Sequence, residues 1–149
     1  FVKGNHDIRE TTVYPHGCID VHMNVVRFSG ITIAGFEGSR WYNGGPNQYT
    51  EQQMRRIVRS MRPALRKASS SDGSLIVITH AAPRHIQDAE DRCHQGFNIY
   101  RNLIQKYRPQ YFFHGHIHRS FSHPSEQVTP FGPTNVINCC GSYVCTIKT

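Results

Sequence analysis

A chain of 149 residues is long enough to bury the core of one ordinary domain, and 38% hydrophobic with 18% charged residues is a globular composition. No apolar run approaches the ~20 residues of a membrane-crossing helix, so a membrane-spanning role is excluded at the level of sequence. Seventeen Lys+Arg against ten Asp+Glu leave a net charge of +7, which favours anionic partners such as phosphate esters or nucleic acid, although a solvated basic helix face accounts for the same surplus.

In chain order, Gly4-Asn5-His6-Asp7 comes first, directly after a short apolar stretch. Val21 to Phe28 and Ile31 to Phe36 are β-rich runs separated by Ser29-Gly30, a two-residue hairpin signal. The segment from Gly38 to Asn47, rich in Gly, Asn and aromatic residues, reads as a loop. Thr50 then opens a helix, with Gln53 completing a T-x-x-Q capping box. Met54, Ile57, Val58, Met61, Leu65 and Ala68 recur at helical spacing, Arg55, Arg59, Arg62 and Arg66 fall on the opposite side, and Pro63 should kink or split the helix.

After the polar loop Ser69 to Gly73, the run Leu75-Ile76-Val77-Ile78 has the pattern of a strand buried on both faces and ends in Thr79-His80. A second helix is expected from Gly96 to Tyr107, burying Phe97, Tyr100, Leu103, Ile104 and Tyr107, with Pro109 beyond it. Tyr111-Phe112-Phe113 is another buried strand, ending in His114-Gly115-His116-Ile117-His118, and Val136 to Asn138 and Tyr143 to Ile147 have the look of closing strands. No repeat or linker interrupts this order, so residues 1–149 are expected to form one α/β unit with polar residues at strand C-termini, where open α/β sheets place their ligands.

The five cysteines, Cys18, Cys93, Cys139, Cys140 and Cys145, are odd in number and contain no C-x-x-C, which points to reduced thiols in a cytoplasmic setting. The histidines say more. Three separated segments each bring an apolar run to an abrupt stop at a metal-capable side chain: Asn5-His6-Asp7, His80, and His114 to His118.

Gly4-Asn5-His6-Asp7, His80 in Thr79-His80-Ala81, and Gly115-His116-Ile117-His118, in that order, resemble the third, fourth and fifth motifs of the calcineurin-like metallophosphoesterase family. The resemblance runs over nearly the whole chain and implies the C-terminal part of a four-layer αββα sandwich. It further implies metal-dependent hydrolysis of phosphate esters, with a phosphodiester preferred over a monoester. Two divalent or trivalent ions, Mn, Fe or Zn, would lie about 3.5–4 Å apart and share a bridging hydroxide. By motif, Asn5, His80 and His116 would hold one metal and His118 the other. His6, oriented by Asp7, would stabilise transition-state charge or protonate the leaving oxygen.

The family's first two motifs, D-x-H and G-D, do not precede Gly4 in this sequence. Asp20-Val21-His22 has the letters of the first but lies after Gly4-Asn5-His6-Asp7, within an alternating stretch that reads as a half-exposed strand. A missing N-terminal segment is therefore expected, and the chain by itself is expected to bind at most one metal weakly and to hydrolyse phosphodiesters poorly. Substrate contacts are sought at Arg40 and Trp41 in the Gly-rich loop. Further ones are sought at Arg84, His85, Asp88 and His94, in the segment that follows His80. His114 is expected to satisfy backbone groups instead of a metal. The rival reading is a degenerate, non-catalytic domain that binds nucleic acid or a protein partner through its arginine face.

Overall fold

A computed structural model describes residues 1–7, 16–71 and 73–147. Its centre is a six-stranded sheet in the order β1-β2-β5-β6-β8-β7, formed by β1 (Val25–Phe28), β2 (Ile31–Phe36), β5 (Ser74–Thr79), β6 (Tyr111–His114), β7 (Val128–Phe131) and β8 (Thr134–Asn138). The inner strands β2, β5, β6 and β8 are parallel, and β1 and β7 pair antiparallel at the two edges. Because the inner strands run the same way, Phe36, Thr79, His114 and Asn138 all end at one edge of the sheet. The sequence order thereby becomes a place: every segment that stops at a polar residue stops on the same side.

The β1–β2 connection is the expected two-residue hairpin, with positive φ at both Ser29 (48°) and Gly30 (78°), the combination a primed turn requires. The first strand is shorter than its apolar pattern suggested. Met23 lies in the left-handed region (φ 51°), so pairing is continuous only from Val25, and His22 contributes an isolated bridge to Gly35. The segment expected as a loop holds a small two-stranded parallel ladder of β3 (Ser39–Arg40) and β4 (Gln48–Tyr49).

Thr50 caps α1 (Glu51–Ser60), with its hydroxyl accepting Gln53 N–H and Gln53 Oε1 accepting Thr50 N–H at 2.8 Å. Pro63 splits the helix as expected: α1 ends at Ser60, and α2 (Arg62–Ser69) restarts with the proline in its first turn, where a missing N–H costs nothing. The third helix, α3 (Asn98–Tyr107), begins two residues later than its periodicity suggested. Gly96 N–H bonds Asp88 Oδ2 and Phe97 N–H the Ala82 carbonyl, and Phe97 is extended (φ −94°, ψ 130°), so the helical backbone begins only at Asn98. Phe97 has no side chain that can cap, and the carboxylate of Glu51 on α1 does so from a distance, accepting Asn98 N–H at 3.0 Å and Ile99 N–H at 2.8 Å.

All three helices pack on one face of the sheet. Ala34, Phe36, Val77, Phe112 and Val136 are fully buried there against Met54, Leu65, Phe97, Tyr100 and Leu103. Of a four-layer sandwich, the described residues thus form one helical layer and one sheet. One further expectation is corrected, and one strand is unanticipated. Tyr143 to Ile147 is not a strand: the chain turns at Gly141 (φ 79°), and Gln127 Nε2 gathers the carbonyls of Asn138, Cys140 and Ser142 instead of a sheet partner doing so. Val128–Phe131 is a strand despite Pro130, which is tolerated because β7 is an edge.

Candidate functional site

The carboxyl edge of the sheet gathers Asn5, His80 and His116. His80 follows β5 directly, and its backbone is held between Phe36 and Gly115: His80 N–H donates to the Phe36 carbonyl and Gly115 N–H to the His80 carbonyl. His116 sits in the left-handed region (φ 65°), a strained conformation for a side-chain-bearing residue that turns its ring back over the strand end. Asn5 lies on a separate turn, Gly4 to Asp7, which docks against the sheet.

That turn is held by side chains the sequence did not single out. Asn47 Nδ2 donates to both the Gly4 carbonyl (2.9 Å) and the Asp7 carbonyl (2.7 Å), and Gly38 N–H donates to the Lys3 carbonyl. Gly4 is required by contact: a Cβ there would stand 2.8 Å from Cε1 of His80. The ring of His80 is therefore packed on the backbone of the turn that presents Asn5.

Asn5 Oδ1 lies 2.9 Å from His80 Nε2, and His116 Nδ1 lies 3.1 Å from the same nitrogen. Each partner's orientation is fixed from behind. Asn5 Nδ2 donates to the Tyr42 hydroxyl at 3.0 Å, which aims Oδ1 at His80. His116 Nε2 is 2.8 Å from the Cys93 carbonyl, which can only accept, so Nε2 carries the proton and Nδ1 is bare. His80 Nε2–H is then the shared donor to Asn5 Oδ1 and His116 Nδ1. Two lone pairs meet one hydrogen, and with the His80 proton on Nδ1 instead, three lone pairs would face the same point.

Burial chiefly, and then the neighbouring His116, lower the pKa of His80 to about 4, and burial also lowers that of His116. Both rings are neutral near pH 7, the state in which imidazole binds a metal. Ligand atoms around a first-row ion at ~2.0–2.1 Å in octahedral geometry stand about 3.0 Å apart, and the two measured separations match that spacing. The donor set fits one first-row transition ion.

The other expected residues are placed less centrally. His6 and Asp7 are exposed, and Asp7 Oδ2 accepts Gly4 N–H at 2.6 Å, closing the turn, with no His6–Asp7 hydrogen bond among the described residues. His118 is exposed, near enough to His80 and His116 to depress both. His114 is 1% exposed and bonds locally, its Nδ1 3.0 Å from the Gly115 carbonyl and its Nε2 3.2 Å from Gln87 Oε1. A neutral ring can donate to only one of these acceptors. Burial nonetheless dominates over the pull of the Gly115 carbonyl and takes its pKa to about 4. Asp20 and His22 form a structural pair away from the three-donor centre, with Asp20 Oδ1 accepting His22 N–H and His22 Nδ1 accepting Glu37 N–H.

Arg84 and Asp88 are joined to each other at 2.7 Å, Arg84 also holds Glu90 at 2.6 Å, and Asp88 accepts Gly96 N–H. Those two carboxylates raise the guanidinium pKa further. This pair shapes the loop after His80. Trp41 is 47% exposed and lies under the Arg92 guanidinium, 5.3 Å from its ring centroid. His85 is exposed, Arg40 is half-buried, and the His94 ring stands 5.2 Å from that of His116 at the rim of the site.

Comparison with known proteins bears on this geometry. The sequence matches the family described as Calcineurin-like phosphoesterase over residues 1–120, and the chain belongs to that family. It matches no curated protein. Among solved structures it is similar in fold to one protein of known crystal structure (TM-score 0.56, 17% identity, 81% of this chain and 45% of that one). It is similar also to TT1561 of Thermus thermophilus (TM-score 0.53, 15% identity, 80% of this chain and 48% of that one). The chain spans about half the length of both. No helix among the described residues is long and apolar enough to cross a membrane.

Proposed function

We propose that the site takes part in metal-dependent hydrolysis of phosphate esters, with phosphodiesters as the preferred substrates and a dinuclear centre in the intact enzyme. The observation that carries this reading is the convergence of Asn5 Oδ1, His80 Nε2 and His116 Nδ1 from three distant segments. Family membership supports the hydrolase class. Mn, Fe or Zn bound there would activate water and neutralise phosphate oxygens.

The chain's own residues supply the rest. Tyr42 orients the Asn5 amide, the Cys93 carbonyl fixes the tautomer of His116, and burial keeps His80 neutral. His118, on the exposed side of the same loop, is the residue assigned to the second ion. His6, exposed and close enough to His80 to act on it, would give a proton to a leaving oxygen, and His94, its ring 5.2 Å from that of His116, together with Arg40, Trp41 and His85 would contact substrate. The unpaired cysteines fit a reducing, cytoplasmic compartment.

Metal analysis and hydrolysis of a bis-aryl phosphate, both on the intact enzyme that supplies the D-x-H and G-D segments, test this assignment. His80→Ala and His116→Ala are expected to lose bound Mn or Zn, with affinity falling by more than the ~10–100-fold that loss of a ligand's supporting partner costs. His6→Ala should leave metal content near that of the parent while lowering turnover. Equal metal loss in all three variants would show that the roles are wrong. A second reading, a non-catalytic domain binding nucleic acid, is favoured by a groove between α1 and α3 lined by Arg55, Arg59, Arg62 and Lys106. Binding of that kind would need no metal and would weaken steeply with salt.

A further inference from the structure

At the rim of the cleft, Asp91, Cys93 and His94 bring a carboxylate, a thiol and an imidazole within 4.8 Å of one another. We propose that these three side chains form a separate binding site for a borderline-soft divalent cation of the zinc class, with the fourth coordination position open.

The separations carry the argument. Tetrahedral zinc with a Zn–S bond of ~2.3 Å and a Zn–N bond of ~2.0–2.1 Å places sulfur and nitrogen about 3.5 Å apart. Cys93 Sγ and His94 Nδ1 are 3.6 Å apart. The carboxylate is tighter, with Asp91 Oδ1 2.8 Å from both Sγ and Nδ1. It needs to retreat by about 0.5 Å from the nitrogen and about 0.7 Å from the sulfur to complete three corners of the tetrahedron. Without metal, the thiol proton, the imidazole N–H and the His94 backbone N–H all crowd onto the one oxygen Oδ1. A cation replaces the first two of these donors: the thiol proton goes to solvent, and the ring proton leaves Nδ1 and is carried on Nε2 instead, freeing the Nδ1 lone pair for the metal.

The loop is also held in place before any ion arrives. Arg92 lies over Trp41, Gln95 Nε2 donates to the Glu90 carbonyl at 3.0 Å, and Ala89 N–H donates to the His94 carbonyl at 3.2 Å. Thiolate, imidazole and carboxylate together select zinc, cobalt or cadmium over magnesium or calcium. With three protein ligands and one open position, the site has the composition of zinc centres that hold a water or an exchangeable anion. Its neighbour is His116, whose Nε2–H is received by the Cys93 carbonyl at 2.8 Å, so an ion here would stiffen the support of that ring.

The experiment is Co(II) titration of the full chain at micromolar metal, read by the sulfur-to-cobalt charge-transfer absorption in the near ultraviolet. The parent and His80→Ala should both develop this band, because the proposed site does not depend on the Asn5, His80 and His116 cluster. Cys93→Ser should abolish it, and His94→Ala should weaken metal binding at least tenfold. A second measurement uses Zn(II): alkylation of Cys93, mapped by mass spectrometry, should slow at least tenfold when zinc is present, with Cys18 unaffected. Absence of the band in the parent, its persistence in Cys93→Ser, or alkylation of Cys93 at the same rate with and without zinc would overturn the proposal. Loss of the band in His80→Ala would equally overturn it, by tying the thiol to the other centre. The reading of the three-donor site fails separately, when His80→Ala leaves manganese binding unchanged.

Discussion

The two sides of β5 and β6 show opposite economies. Under the helices, Val77 and Phe112 sit at zero exposure among apolar neighbours. A few residues on, at the carboxyl edge, the same strands end in His80, half-buried, and His114, buried, imidazoles whose neutral state is favoured chiefly by desolvation. The first region stabilises the fold by removing carbon from water. The second spends part of that stability to hold lone pairs in the open at one point. The same strand supplies both because the parallel arrangement puts all its polar ends on one edge.

This contrast can be broken by substitution and by pH. The largest effect is expected from Phe112→Ala, which should cost about 3–5 kcal/mol of unfolding free energy in urea denaturation, as deletion of a buried aromatic ring does. Metal bound per folded molecule should not change, and a parallel fall in metal content would show that core and edge are not separable.

Acid should act on the edge. His80 and His114 have folded pKa values of about 4 against 6.5 when unfolded. Between those values the unfolded chain binds protons that the folded chain refuses. Stability of the chelator-treated protein should therefore be full above pH 6.5 and fall as pH drops toward 4, by ~3 kcal/mol for a ring as buried as His114. Urea midpoints that rise on acidification through that window would contradict the assignment, and His114→Asn should flatten the slope.

Glu51→Ala tests the link between helices, because the carboxylate caps α3 from α1. The expected loss is about 1–2 kcal/mol by thermal denaturation, with amide exchange at Asn98 and Ile99 accelerated. The smallest effect belongs to Tyr107→Phe. Its buried hydroxyl has no hydrogen-bond partner among the described residues, so the phenylalanine variant should be equal to the parent or up to about 1 kcal/mol more stable.

Local signals were the ones the sequence disclosed. The Thr50 capping box, the Pro63 break, the Ser29-Gly30 hairpin and the strand ends at His80 and His114 each depend on a few adjacent residues. Asn5, His80 and His116 could be picked out because each closes such a run and because their order resembles one family's. What could not be read depends on partners far away in sequence. Tyr42 matters because it meets Asn5, and Asn47 because its amide spans Gly4 and Asp7. Arg84 and Asp88 looked available for substrate, and the fold pairs them with each other. Tyr143 to Ile147 had the residue types of a strand, but the chain turns at Gly141 (φ 79°) and the segment pairs with no strand among the described residues.

The cap that Glu51 provides for α3 also bears on how the chain folds. A helix of ten residues that lacks its own N-cap is a poor nucleus in isolation. Its first turn gains hydrogen-bond acceptors only when a residue 48 positions upstream of Ile99 arrives with its own helix already formed. Helix α3 should then consolidate late and together with α1, so the closure of one long loop, not the growth of either helix, would set the pace at which the helical layer assembles.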